Sequence, residues 1–179
     1  MAFSREIYRA FEDIVGKKNI SEDLGILETY RCIASQSSAH YGPYDHKTPL
    51  PQAVLLPATT DEVQNIVKLC NKYMIKFKAS STFWSAMGYI DDDYAIQLDM
   101  RRMRGLEIDE RNMLAIVEPY AIGAVVQAEA MKVGLNLNLP GVGCSSSPLH
   151  HLITSYKFSL EKSPCFVNEC HDLFVVRCM

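Results

Sequence analysis

The spacing of hydrophobic residues predicts one amphipathic helix near the start of the chain. Four apolar residues recur at the spacing of a single helical face: Ile7, Ala10, Phe11 and Ile14. Ser4 is a favourable N-cap residue before them, and Gly16 is a favourable residue for ending the helix. After Ser21 the pattern supports only one short helical turn, followed by a polar stretch rich in serine, glycine and proline. We therefore expect residues 1–50 to form an N-terminal helix and a linker.

Regular patterns return at Pro51 and predict alternating strands and helices. Short apolar runs predict strands at residues 53–56, 75–78, 95–99 and 113–119. Helical periodicity predicts helices at residues 59–73 and 123–133, and Gly134 is expected to end the second. The charged connection at residues 101–111 is predicted to be a loop. This order of elements predicts an α+β fold, a small mixed sheet with flanking helices.

The first of these two helices carries the clearest signals. Thr59 precedes Glu62 by three residues, which is the spacing of a capping box. Five residues are expected on its buried face: Val63, Ile66, Val67, Cys70 and Met74. We interpret Cys70 as a small core residue rather than a nucleophile.

Composition and charge narrow the classes of function. The chain has 179 residues, of which 48% are hydrophobic and 22% charged, so it can bury a core and is not disordered. Its formal net charge of -3 provides no broad basic field, and we expect no nucleic-acid partner. No apolar run approaches the roughly 20 residues that cross a bilayer, and the N-terminus lacks a secretory pattern. We expect a cytoplasmic protein without a membrane partner, whose six cysteines are reduced.

Several stretches between residues 51 and 148 carry a resemblance to a known family. They are Pro51–Val63, Ile96–Met103, Ala115–Pro119 and Gly134–Leu135, followed by the loop that begins at Pro140. Their order and spacing resemble the N-terminal, PCMH-type FAD-binding domain of the FAD-linked oxidases, which include vanillyl-alcohol oxidase. We therefore expect residues 51–148 to form the first part of such a domain.

The resemblance implies that FAD is the cofactor and that two loops hold it. The implied cofactor-binding residues of the first loop are Ser80, Ser81, Thr82, Phe83, Trp84 and Ser85. Those of the second loop are Gly141, Gly143, Ser145 and Ser146. Small residues let backbone N–H groups approach a pyrophosphate, and hydroxyl groups add further donors. The family reaction would be oxidation of a small alcohol or hydroxy acid, and we assign no catalytic residue.

Two features depart from the family pattern. Phe83 and Trp84 stand where glycine and a small or polar residue are usual, and a bulky residue cannot adopt a positive φ cheaply. The chain also lacks glycine after Gly143, where family members have a glycine-bearing stretch. Residues 149–179 hold three of the six cysteines and three of the five histidines. We expect this segment to be an atypical tail that arises from truncation or a change of reading frame.

Other features of the sequence give weaker indications of function. Cys165, Cys170, His171 and Cys178 are zinc-ligand types, but they lack a Cys-x-x-Cys pair, so we assign no metal site. The run Asp91–Asp93 and the cluster Arg101, Arg102 and Arg104 are interpreted as solvated surface charge. The alternative function is a non-catalytic fragment or interaction module with the same fold and no cofactor. Exposed apolar surface leads us to expect self-association.

Overall fold

The chain forms two compact units, residues 1–102 and residues 103–179. The computed structural model describes residues 4–36, 50–82, 96–136, 145, 147–148, 171–172 and 176–178. Of these, residues 31–36, 171–172 and 176–178 are described by their backbone alone.

The first unit opens with helix α1, Arg5–Val15, as the sequence predicts. The Ser4 hydroxyl accepts a hydrogen bond from the Ile7 N–H, and Gly16 ends the helix at a φ of 82°. Glycine suits this end because a positive φ is costly for residues with a Cβ atom. Phe11 and Val15 are buried on its inner face. A single turn of 3₁₀ helix, Lys17–Asn19, then leads into strand β1, Ile20–Ser21.

The prediction of only one short helical turn after Ser21 is wrong. Helix α2 spans Leu24–Gln36, a length of 13 residues. Leu27 and Tyr30 are buried in one cluster with Val54. The sequence pattern of α2 is only weakly amphipathic, and packing on the sheet stabilises the helix beyond what its own pattern indicates.

Four strands form the mixed sheet of the first unit, in the order β1-β2-β4-β3. Strands β2, β3 and β4 are Ala53–Leu55, Phe77–Ser80 and Ile96–Asp99. Strand β1 is antiparallel to β2, whereas β2, β4 and β3 run parallel. All residues of β2 and β4 are buried, as expected for parallel strands covered on both faces. Strand β3 begins two residues later than predicted and includes Ser80.

Helix α3, Thr60–Tyr73, connects β2 to β3. The Thr59 hydroxyl accepts from the Glu62 N–H, which confirms the predicted cap, while the Glu62 carboxylate accepts from the Ala58 N–H. Ile66 and Cys70 are buried as predicted. Met74 is not: it is 88% exposed because it caps the helix in a left-handed conformation, with a φ of 54°.

The second unit contains strands β5 to β9 and helix α4. Strands β5, Leu106–Asp109, and β6, Leu114–Val117, form an antiparallel hairpin. Helix α4 spans Gly123–Lys132 and precedes Gly134, as predicted. Strand β7 is Leu135–Asn136, and two short strands follow later in the chain: β8, His171–Asp172, and β9, Val176–Cys178. Strand β9 runs parallel to β6, and β8 runs parallel to β7.

The prediction of a loop at residues 101–111 is wrong because this segment contains strand β5. Leu106 and Ile108 alternate with acidic residues and pack on a core that contains Val117 and Val126. At the base of the hairpin the Gly105 N–H donates to the Glu118 carboxylate at 2.5 Å. The elements of both units, helices together with small sheets, confirm the predicted α+β class.

Cys70 provides a test of packing in the first unit. The side chain is 1% exposed, and burial raises the pKa of its thiol to about 11. An unfolded thiol ionises near pH 8.5. At about pH 8 we therefore expect Cys70 to resist iodoacetamide in the folded chain and to react after unfolding in guanidinium. Peptide mapping by mass spectrometry measures this difference, and rapid modification of Cys70 in the native protein would show that the packing is wrong.

Candidate cofactor site

The carboxyl ends of the three parallel strands form one edge of the first sheet. Strand β3 ends at Ser80 and strand β4 ends at Asp99, and these two residues are register partners. Ser81 and Thr82 follow Ser80 directly, and all three hydroxyl residues are half-buried. In open α/β sheets, ligands bind outside the carboxyl ends of the strands. We refer to residues Ser80–Thr82 and Asp99–Arg101 as the carboxyl edge.

Ser80 is held firmly at this edge by the neighbouring strand. The buried Gln97 amide donates to the Ser80 hydroxyl at 2.9 Å and to the Leu98 carbonyl at 3.1 Å. The Met100 N–H donates to the Ser80 carbonyl at 3.0 Å. Because the hydroxyl oxygen of Ser80 accepts from Gln97, its own hydrogen can be donated to a ligand. The first predicted cofactor loop thus starts from a fixed position.

Asp99 is the centre of a buried polar network at the end of β4. Its side chain is fully buried, and the Tyr30 hydroxyl donates to Asp99 Oδ2 at 2.7 Å. Arg101 supplies the positive charge: its Nε lies 2.6 Å from Oδ2, and its backbone N–H donates to Oδ1 at 3.0 Å. Both carboxylate oxygens are therefore satisfied, which a buried carboxylate requires.

Tyr30 is protonated in this network. Burial, together with the hydrogen bond to Asp99, raises the pKa of Tyr30 well above its ordinary value. Its hydroxyl hydrogen therefore stays in place to donate to the carboxylate at any physiological pH.

The three arginines that were interpreted as solvated surface charge are all exposed, and each also has a partner in the structure. Arg101 pairs with Asp99, although its own side chain is 44% exposed. Arg102 donates to the Leu56 carbonyl at 2.8 Å, just beyond the carboxyl end of β2. Arg104 lies over the Tyr120 ring, with 5.1 Å between the guanidinium carbon and the ring centroid. Each of the three cations has a specific partner.

The predicted cofactor-binding residues divide into described and undescribed positions. Ser80, Ser81 and Thr82 lie at the carboxyl edge, and Ser145 is exposed in a turn of the second unit. The other predicted residues lie outside the described part of the chain: Phe83, Trp84, Ser85, Gly141, Gly143 and Ser146. The run Asp91–Asp93 and the side chains of the candidate zinc residues also lie outside it.

Ser147 adds a polar group that the sequence interpretation did not select. Its side chain is fully buried, and its hydroxyl has no hydrogen-bond partner among the described residues. A buried hydroxyl without a partner is costly, and a bound ligand, an ion or an ordered water can each remove that cost. Ser147 directly follows the second predicted cofactor loop. A phosphate oxygen of FAD would satisfy its donor, so the residues present fit that cofactor.

The chemistry available at these positions suits a phosphate-bearing cofactor. Hydroxyl donors and the ends of parallel strands are typical of nucleotide-cofactor sites. Within the described ranges, no group of three His, Cys, Asp or Glu side chains converges as metal ligands. Nor does any helix in those ranges have the length and apolar character needed to span a bilayer. The fold and the carboxyl edge therefore assign this chain to the class of cofactor-binding α+β domains.

Comparison with known proteins identifies the family within this class. The family model described as an FAD binding domain matches residues 51–147, more than half of the chain. The chain therefore belongs to the FAD-binding domain family, and the cofactor of this domain is FAD. It is 28% identical to alkyldihydroxyacetonephosphate synthase of Dictyostelium discoideum, a match that covers 49% of this chain and 15% of that protein.

Several solved structures have a similar fold. p-Cresol methylhydroxylase has a TM-score of 0.68 at 20% identity, over 83% of this chain and 28% of that chain. A crystal structure of alkyldihydroxyacetonephosphate synthase has a TM-score of 0.64 at 20% identity, over 80% of this chain and 28% of that chain. 4-Ethylphenol oxidase from Gulosibacter chungangensis has a TM-score of 0.59 at 23% identity, over 73% of this chain and 25% of that chain. The PCMH-type fold is confirmed, and the chain spans under a third of each relative.

The sequence contained signals for some of the residues that were missed. Gln97 and Asp99 are polar residues within a run that is otherwise typical of a buried strand. Buried polar side chains need partners, so both positions indicate a hydrogen-bond network. Tyr30 could not be identified in this way, because its partner lies 69 positions away in the chain.

Proposed function

We propose that this chain forms the FAD-binding portion of a flavin-dependent oxidoreductase that acts on a small alcohol or hydroxy acid. The first loop would begin at Ser80, and the second would include Gly141, Gly143, Ser145 and Ser146. The substrate class rests on the family resemblance. The relatives with similar folds are named for several different substrates, including cresol and ethylphenol.

When bound, FAD would supply the redox chemistry by accepting a hydride from the substrate carbon. The residues of this chain would bind and orient the cofactor. Hydroxyl groups and backbone N–H groups would donate hydrogen bonds to the pyrophosphate, whose negative charge strengthens such bonds. The carboxyl edge would keep these donors in position before the cofactor arrives, which reduces the ordering cost of binding.

The observation that carries the proposal is the buried hydroxyl of Ser147. Its donor has no partner among the described residues, and it stands at the end of the second loop. A phosphate oxygen would accept the hydrogen bond that this hydroxyl can donate. The Ser147 hydroxyl also allows a test of the proposal, because a buried polar group that has a partner only when the ligand is bound destabilises the ligand-free protein.

Replacing Ser147 with Ala should change two properties in opposite directions. Without FAD, we expect the variant to be more stable by roughly 1 kcal/mol, because an unsatisfied buried hydroxyl is removed. With FAD, we expect the affinity to fall about tenfold or more, because one hydrogen bond to a charged group is lost. Urea denaturation of the FAD-free protein and calorimetric titration with FAD measure the two effects.

Ser145→Ala is the matched control for this substitution, since Ser145 is exposed. We expect its ligand-free stability to equal that of the wild type. If Ser147→Ala instead destabilises the ligand-free protein and leaves FAD affinity unchanged, Ser147 has a structural role and this support for the proposal is lost.

The alternative function is an interaction module that folds in the same way and binds no cofactor. Gel filtration after incubation with FAD, followed by a visible absorbance spectrum, separates the two. Because the chain spans under a third of its relatives, we expect weak retention of flavin but saturable binding at equilibrium. A colourless protein with no saturable FAD binding would favour the interaction module. The same column tests self-association, which exposed residues such as Met131 and Val125 favour.

A further inference from the structure

We propose that Tyr30 of helix α2 is a positioning residue for the FAD site at the carboxyl edge. This inference rests on the proposed function. It assigns a role in cofactor binding to a segment that lies outside the family match, which begins at residue 51. The residue would act through Asp99 and would not itself touch the cofactor.

The side chain of Asp99 connects helix α2 to the end of strand β4. Tyr30 and Arg101 both approach Asp99 Oδ2, at 2.7 Å and 2.6 Å, while Arg101 Nη2 lies 3.4 Å from the Tyr30 hydroxyl. Tyr30 is 7% exposed and Asp99 is fully buried. Within this network, Tyr30 belongs to the helix and the two charged residues belong to the end of β4. A single buried hydroxyl therefore connects α2 to the turn that follows β4.

A backbone hydrogen bond connects that turn to the predicted cofactor loop. Met100 lies between Asp99 and Arg101, and its N–H donates to the Ser80 carbonyl at 3.0 Å. Both of its neighbours are fixed by the Asp99 carboxylate, so the direction of the Met100 N–H is fixed as well. Ser80 is the first residue of the predicted loop. The path from Tyr30 to Ser80 thus consists of two hydrogen bonds, joined by the peptide bond between Asp99 and Met100.

The Tyr30 hydroxyl can be removed without removing the ion pair that keeps Asp99 paired. Removing the Tyr30 hydroxyl leaves the Asp99 carboxylate with its arginine, so the carboxylate remains paired and the fold is retained. The turn after β4 loses one of the two side chains that fix Asp99. We expect the backbone at Met100 and Ser80 to become less well ordered, and cofactor affinity to fall because the first loop is no longer held in its binding geometry.

The experiment uses Tyr30→Phe in the full chain and measures FAD affinity by calorimetry. The measurement is made at a temperature where circular dichroism shows every variant to be fully folded. We expect the dissociation constant to rise roughly threefold to thirtyfold, the range for residues that act on a site through a neighbour. Tyr73→Phe, at a residue 38% exposed, is the control for the chemical change and should leave the affinity unaltered.

Val15→Ala is the control for stability alone. Val15 is 4% exposed in α1 and contributes to the core, so the variant should melt at a lower temperature but bind FAD as the wild type does. If Tyr30→Phe binds FAD with wild-type affinity, or if Val15→Ala weakens binding equally, the positioning role is wrong. If the wild type itself does not bind FAD, the proposed function fails instead.

Discussion

Replacing Phe11 with Ala is expected to lower the free energy of unfolding of the first unit by roughly 3–5 kcal/mol. Phe11 is completely buried on the inner face of α1, where the helix packs on α3. The loss combines the transfer free energy of the aromatic ring with the cavity that remains, since packed interiors relax only partly. Denaturation in guanidinium, followed by circular dichroism, measures the change.

Phe77→Ala provides the matched comparison because it removes the same side chain from a different environment. Phe77 is 37% exposed on the edge strand β3, so part of the residue already contacts water in the folded state. We expect a loss well below that of Phe11→Ala. Equal losses at the two positions would show that Phe11 is not buried in the core of the first unit as described.

Replacing Asp99 with Ala is expected to destabilise the first unit by roughly 2–4 kcal/mol. The substitution leaves the buried Tyr30 hydroxyl without its acceptor and removes the partner of Arg101. The cost stays moderate because Arg101 is 44% exposed and can be solvated after its partner is lost. Thermal denaturation at neutral pH measures the effect.

Asp13→Ala is the control, since Asp13 is exposed on α1 and should change stability by less than about 0.5 kcal/mol. Asp99→Asn retains the size of the side chain and an oxygen that can accept from Tyr30. We expect its stability to lie between those of the wild type and Asp99→Ala. An Asp99→Ala variant as stable as Asp13→Ala would contradict the buried network.

Much of the fold could be predicted because local signals agreed with the tertiary structure. Ser4 and Gly16 mark both ends of α1, and Thr59 marks the start of α3. Helix α2 and strand β5 were missed for different reasons. Packing of Leu27 and Tyr30 on β2 stabilises α2, and this contact is invisible in a local pattern. Strand β5 has only four residues, two of them acidic, so its charge resembled that of a loop.

The candidate site was predicted less completely than the fold. The family resemblance predicts that the first loop binds the cofactor. Ser80 lies at the carboxyl end of a parallel strand, where ligands bind in open α/β sheets. The supporting residues Tyr30 and Arg101 could not be derived, because their roles arise from contacts between distant segments. Ser147 is adjacent to Ser145 and Ser146, which the resemblance predicts to bind the cofactor, but only its burial without a described partner distinguishes it from Ser145.

Calorimetric titration of the full chain with FAD and, in parallel, with riboflavin tests directly whether the chain binds FAD through its pyrophosphate and adenosine. Riboflavin lacks the pyrophosphate and adenosine that the two loops are proposed to hold. We predict saturable binding of FAD and much weaker or undetectable binding of riboflavin. Absence of FAD binding, or equal affinity for the two flavins, would contradict the proposed function.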